Sequence, residues 1–108
     1  LEKLWAVAEY GEAENAKQLS RLAKNLNCFT FIKGASNYEE VGEFVTRNNE
    51  DFNVNPNVAK FFDYEAFGEH IGEIYYGEFV DGGFIYNDSD TSLLDILYQN
   101  EPMTMGGM

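Results

Sequence analysis

Phe62-Asp63-Tyr64-Glu65-Ala66-Phe67-Gly68-Glu69-His70-Ile71-Gly72-Glu73, continuing as Ile74-Tyr75-Tyr76-Gly77-Glu78-Phe79-Val80-Asp81-Gly82-Gly83-Phe84-Ile85-Tyr86, changes its period midway. Tyr64, Phe67 and Ile71 recur at helical spacing behind Asp63, whose carboxylate suits an N-cap. Beyond Glu73 the residues alternate loosely up to the turn signal Asp81-Gly82-Gly83. Ile74–Val80 and Phe84–Tyr86 are therefore expected to form a hairpin.

Working outward toward the N-terminus, Asn48 to Asn57 form a polar, Asn-rich loop that contains Asn55-Pro56. Val58, Phe61 and Phe62 resume a helical pattern. Ser36 is expected to cap a helix carrying Val41, Phe44 and Val45 to about Arg47, with Ser36 and Glu39 as its capping box. Cys28-Phe29-Thr30-Phe31-Ile32 reads as a strand closed by Lys33-Gly34-Ala35. Residues 1–27 read as two helices. The first presents Leu1, Leu4, Trp5 and Ala8 and stops at Gly11. The second, about Ala13 to Leu26, carries an apolar stripe of Leu19, Leu22, Ala23 and Leu26. Lys17, Arg21 and Lys24 lie on its other side, and Asn27 is its C-cap.

On the C-terminal side, Leu93–Tyr98 suits one or two helical turns, and the tail 102–108 is expected to be loose. No internal repeat stands out. The fold class expected is α+β: short helices packed on a small, mostly antiparallel sheet with a C-terminal hairpin, in one compact acidic domain spanning 1–108.

With 108 residues, 44% hydrophobic and 16% aromatic, the chain can bury one core and is not disordered in composition. No apolar run reaches the roughly 18–20 residues of a membrane span. Cys28 alone permits no internal disulfide and fits a reducing, cytoplasmic setting. The chain starts at Leu1, which suggests a piece of a longer protein. Its charge is uneven. All 7 Lys and Arg lie in residues 1–60, whereas 61–108 hold 10 acids and no Lys or Arg, leaving −10 of the net −12 there. Such a field repels nucleic acid and anionic membranes and favours a cationic partner.

Chemistry is sparse. Cys28 and His70 supply one nucleophile and one base with no evident third member, and scattered carboxylates give no zinc spacing. Asn87-Asp88-Ser89-Asp90-Thr91 and Asn49 to Asn55 are rich in oxygen, but neither has the Gly and Glu positions of an EF-hand loop. No enzyme activity, metal or other cofactor is expected. Glu65, Glu69 and Glu73 do stand out: at i, i+4 and i+8 they form one row with carboxylates roughly 6 Å apart. That interval is of the same order as the spacing of phosphates along a strand. Like charges so placed destabilise a helix by a few tenths of a kcal/mol per pair, and no Lys or Arg is interleaved. A solvated helix face explains them equally simply.

Phe62-Asp63-Tyr64-Glu65-Ala66-Phe67-Gly68 resembles the signature near the C-terminus of the ArdA family of antirestriction proteins. Ser36-Asn37-Tyr38-Glu39-Glu40-Val41-Gly42, the spacer Asn55-Pro56 and Phe79-Val80-Asp81-Gly82-Gly83-Phe84-Ile85 resemble further segments of that family. The likeness covers about residues 30–86, so 28–86 is read as the ArdA-like module and 87–108 as an extension. Glu69-His70 stands where the family usually has Arg-Asp, and the family's N-terminal domain has no counterpart here. The resemblance implies an acidic mimic of DNA, able to form a homodimer, that occupies the basic groove of type I restriction–modification enzymes and protects mobile genetic elements such as conjugative transposons. Glu65, Glu69 and Glu73 would be the phosphate substitutes, with Asp63, Glu39, Glu40 and Glu43 as further candidates. An acidic protein–protein or oligomerisation module without DNA mimicry is the alternative.

Overall fold

Gly83–Asn87 is the strand around which the molecule is built, because both of its faces are covered by helices. The computed structural model describes residues 1–98. In chain order the elements are α1 (Glu2–Gly11), α2 (Ala16–Lys24), β1 (Phe29–Lys33), α3 (Tyr38–Asn48), α4 (Tyr64–Ile74), β2 (Glu78–Val80), β3 (Gly83–Asn87) and α5 (Leu93–Tyr98). The sheet is antiparallel throughout, in the order β1-β3-β2. Ile32 pairs with Phe84 on one side of β3, and Phe79 pairs with Phe84 on the other. The expected α+β class is what the chain adopts. The tail 102–108 lies outside the described residues.

Residues 83–86 are all buried, and alternate side chains enter different cores. Ile85 joins Val7, Leu22, Phe29, Ile96 and Leu97 beneath α1, α2 and α5. Phe84 and Tyr86 join Ile32, Val41, Val45 and Ile71 beneath α3 and α4. A strand with period 2 and no polar face can be satisfied only by apolar cover on both sides. The result is three layers, with helices on each side of a three-stranded sheet.

Several boundaries differ from those expected. The strand expected over Ile74–Val80 shrinks to Glu78–Val80, since α4 runs on to Ile74 and Tyr76 turns the chain with φ +54°. Gly77 leaves that turn hard against the Phe84 ring, where a Cβ would overlap it. Helix α3 is capped by Asn37, not Ser36: Asn37 Oδ1 accepts from the Glu40 amide at 2.9 Å. The reciprocal arm of the box is Glu40, whose carboxylate accepts from the Ser36 amide at 2.7 Å and from its hydroxyl at 3.1 Å. Cys28 closes a 3₁₀ turn, and the strand begins at Phe29. Val58 to Phe62 make only a 3₁₀ turn, at Ala59–Phe61.

Helix α1 turns a different face to the core. Ala6, Val7, Tyr10 and Gly11 are buried, while Leu1 is exposed and Trp5 is 62% exposed. The small side chains of Ala6 and Gly11 permit the close approach; a Cβ at Gly11 would meet the Leu22 and Leu93 methyls. Gly11 does not stop the helix in a left-handed turn; Glu12 does, with φ 51°. In α2, which starts after the Asn15 cap and ends at Asn25 rather than Asn27, Ala23 is exposed and Arg21 is buried. The Arg21 guanidinium donates to the Leu97 carbonyl. That carbonyl belongs to the last described turn of α5, at the negative end of the helix, where a buried cation is well placed.

Candidate functional site

Helices α3 and α4 begin with the same pattern, Asn37-Tyr38-Glu39-Glu40-Val41-Gly42-Glu43 and Asp63-Tyr64-Glu65-Ala66-Phe67-Gly68-Glu69. Each has a short polar cap, then Tyr and Glu, an apolar residue, Gly and Glu again. The caps act alike: Asp63 Oδ1 accepts from the Ala66 amide at 2.9 Å, as Asn37 does from Glu40. The glycines explain the repeat. A Cβ on Gly42 would collide with the Tyr64 carbonyl, and a Cβ on Gly68 would collide with the Tyr38 carbonyl. These reciprocal contacts set the helices antiparallel and bring them backbone against backbone at the glycines. The repeat not seen in the sequence is thus present, and a local two-fold axis relates its copies. Matching cap, Tyr and Gly positions were the signal that would have revealed it.

The two-fold fixes where the acids lie. Val41, Val45 and Ile71 of the two helices enter the sheet-side core, with Phe67 packed against it. At 100° per residue, Glu39 and Glu43 lie on the opposite flank of α3, and Glu65, Glu69 and Glu73 lie on the equivalent flank of α4. A two-fold perpendicular to both helices carries one flank to the other on the same side. All five carboxylates therefore share one outward face; Glu43 is partly buried and the others are exposed. They form two antiparallel rows, with about 6 Å between neighbours in a row. Arg47 continues the α3 row at the position where α4 has Glu73.

The remaining acidic candidates have local tasks. Asp63 is the α4 cap, and Glu40 is bound to Ser36 on a different side of α3. Both are exposed and add to the field, but neither is part of the rows.

Elsewhere the polar chemistry is internally satisfied. Asn87 Oδ1 accepts from the Ser89 amide at 2.9 Å and from its hydroxyl at 2.6 Å, and Asn87 Nδ2 donates to the Thr91 carbonyl at 2.8 Å. Asp88 accepts from Thr30 at 2.8 Å, tying that loop to β1. In the other oxygen-rich segment, Asn49 and Asn55 each accept from the amide two residues on. Among the described residues, no three His, Cys, Asp or Glu side chains gather to hold a metal ion. Cys28 is buried in the core under α1, α2 and α5, whereas His70 is exposed on α4 beyond the other face of the sheet. Burial, above all, pushes the Tyr86 phenol up to about 12; its hydrogen bond with Thr30 acts against the rise, and the Asp88 charge adds to it. No helix among the described residues is long and apolar enough to cross a membrane.

No protein family, curated protein or solved structure matches the chain.

Proposed function

We propose that the chain is a DNA mimic that inhibits type I restriction–modification enzymes by occupying their basic DNA groove. The observation that carries this reading is the pair of antiparallel carboxylate rows on α3 and α4. The two strands of a duplex are also antiparallel, are related by local two-folds, and carry their negative charge along two edges. A row on one helix imitates one edge; two rows related by a two-fold imitate both. The resemblance of residues 62–68 to the ArdA signature points to the same class of target. So does the absence of Lys and Arg from residues 61–108. On this reading the chain performs no catalysis, needs no cofactor, and acts in the cytoplasm where restriction takes place, alone or as a homodimer.

The test is competition with DNA for a purified type I methyltransferase core. Glu65→Gln, Glu69→Gln and Glu73→Gln together are expected to weaken inhibition by about tenfold or more, and adding Glu39→Gln and Glu43→Gln to weaken it further. Inhibition should fall steeply as salt is raised, because the attraction is screened. An unchanged inhibition constant in the five-fold variant, with its thermal unfolding intact, would remove these residues from the interface. Binding of the enzyme without competition against DNA would favour the adaptor reading.

A further inference from the structure

A second surface lies away from the helix crossing, between the C-terminal end of α4, the end of α1 and the start of α5. A groove of about 640 Å³ there has an apolar floor of Tyr10, Ile74, Tyr75, Tyr76, Leu93 and Leu94 and is lined on its other side by the polar loop 87–92. Across Tyr10, Leu93 and Leu94 it adjoins a smaller hollow of about 210 Å³. Leu94 is 67% exposed and Tyr76 81% exposed, and Ile74 and Tyr98 are about half exposed. Scattered exposed apolar side chains are ordinary, but several around one concavity mark an interaction site. The floor is fixed: the Tyr10 hydroxyl donates to the Tyr76 carbonyl at 2.8 Å, pinning the left-handed turn at the end of α4 to α1.

The rim is acidic. Asp90 lines the larger hollow, and Glu12 and Glu14 line the smaller one. No Lys or Arg lines either. Negative potential also accumulates at the Tyr10 end. The Glu78 carboxyl is raised above its ordinary value by burial and then by the Glu12 and Glu9 charges; the Tyr10 phenol is raised by burial and then by Glu78. An apolar floor bordered by carboxylates at Asp90, Glu12 and Glu14 complements a segment that is apolar along one side and cationic along the other.

We infer that this groove docks a cationic amphipathic segment of a partner protein, seating its leucine or aromatic side chains on Tyr10, Tyr76 and Leu94 and its Lys or Arg against Glu12, Glu14 and Asp90. The site stands independently of the carboxylate rows on α3 and α4. It gives a basic partner a hold that depends on apolar contact as well as on charge.

The experiment titrates the full chain with a synthetic peptide of Leu and Lys at amphipathic helical spacing, by calorimetry and by amide chemical shifts. Saturable binding with shifts centred on Tyr76, Leu93 and Leu94 is expected. Tyr76→Asn with Leu94→Gln should weaken it by about tenfold or more. Asparagine tolerates the left-handed backbone at position 76, so the variant keeps the turn. Glu12→Asn with Glu14→Gln should weaken binding by a similar factor through charge alone, which keeps the inference open to test if the first variant unfolds. Glu39→Gln, Glu43→Gln, Glu65→Gln and Glu69→Gln together should leave the affinity within about twofold. Equal affinity for a control peptide with Ser in place of Leu would overturn the inference, as would equal losses in the α3–α4 variant: either marks diffuse charge attraction. Nuclear Overhauser contacts from residues 99–108 to Leu94 in the free chain, or self-association abolished by Tyr76→Asn with Leu94→Gln, would also overturn it by giving the groove another occupant.

Discussion

The two helical layers that sandwich the sheet are stabilised in different ways. Beneath α1, α2 and α5 the core is largely aliphatic: Val7, Leu22, Ile85, Ile96 and Leu97 interdigitate, and one buried cation, Arg21, joins α2 to the end of α5. Beneath α3 and α4 a shell of aromatic rings packs around Ile32, Val41, Val45 and Ile71. Phe84 meets Phe79 at 4.7 Å and Tyr38 at 5.9 Å, and Tyr75 stacks on Tyr86 at 5.4 Å. There the two helices meet at their backbones rather than through side chains. In the first layer the helices meet through side chains, as where Leu22 and Leu93 close over Gly11. The second has no side chain to move at the crossing, so it holds two charged rows in fixed relation even though their repulsion opposes the helices.

The contrast is most exposed to test at the glycines. Gly→Ala inside a helix ordinarily gains about 1 kcal/mol from propensity. Gly42→Ala and Gly68→Ala should instead each cost about 3 kcal/mol or more in urea unfolding, because a methyl would push against a backbone carbonyl. Gly72→Ala meets side chains rather than backbone, the Tyr38 ring at 3.3 Å and the Phe84 ring at 3.5 Å, and should cost far less. A neutral or stabilising Gly68→Ala would refute the close crossing.

In the other layer the sensitive position is Arg21. Arg21→Met removes its hydrogen bond to the Leu97 carbonyl while keeping an apolar stem, and should cost about 2 kcal/mol. The loss should be read in amide exchange first at α5, whose last turn loses its anchor. Uniform loss of protection across the chain, with no early opening of α5, would place the role of Arg21 elsewhere.

The smallest effect expected lies between the layers, at Glu78. Burial first, then Glu12 and Glu9, holds its carboxyl above the ordinary 4.5. The folded chain therefore binds this proton more tightly than the unfolded chain. The penalty for ionising it is absent below the unfolded value and grows as pH rises through the raised one. Glu78→Gln should raise the melting midpoint modestly near neutral pH and leave it nearly unchanged in acid below 4.5. An equal shift at both ends of the range would mean that Glu78 acts through packing instead.

Much of this organisation is legible in the residues. The Asp63 cap, the helix it opens, the Asp81-Gly82 turn and the last helix at Leu93–Tyr98 follow from local capping and periodicity, and all are present. So is the row Glu65, Glu69, Glu73, which helical spacing alone places on one flank. Local rules fail where a second element decides. The buried face of α1 follows the small residues that let α2 and α5 approach, not the stripe of largest side chains. Arg21 looks solvated by type but is buried because α5 offers it the Leu97 carbonyl. The groove joins Tyr10 to Leu94, residues far apart in the chain.

By itself, then, the sequence determined an acidic α+β domain, its caps and turns, and a row of glutamates on one helix. Those properties depend on neighbours within a turn or two along the chain. Only the tertiary structure decided that Glu39 and Glu43 stand beside that row, because Gly42 and Gly68 set two equivalent helices antiparallel and backbone to backbone.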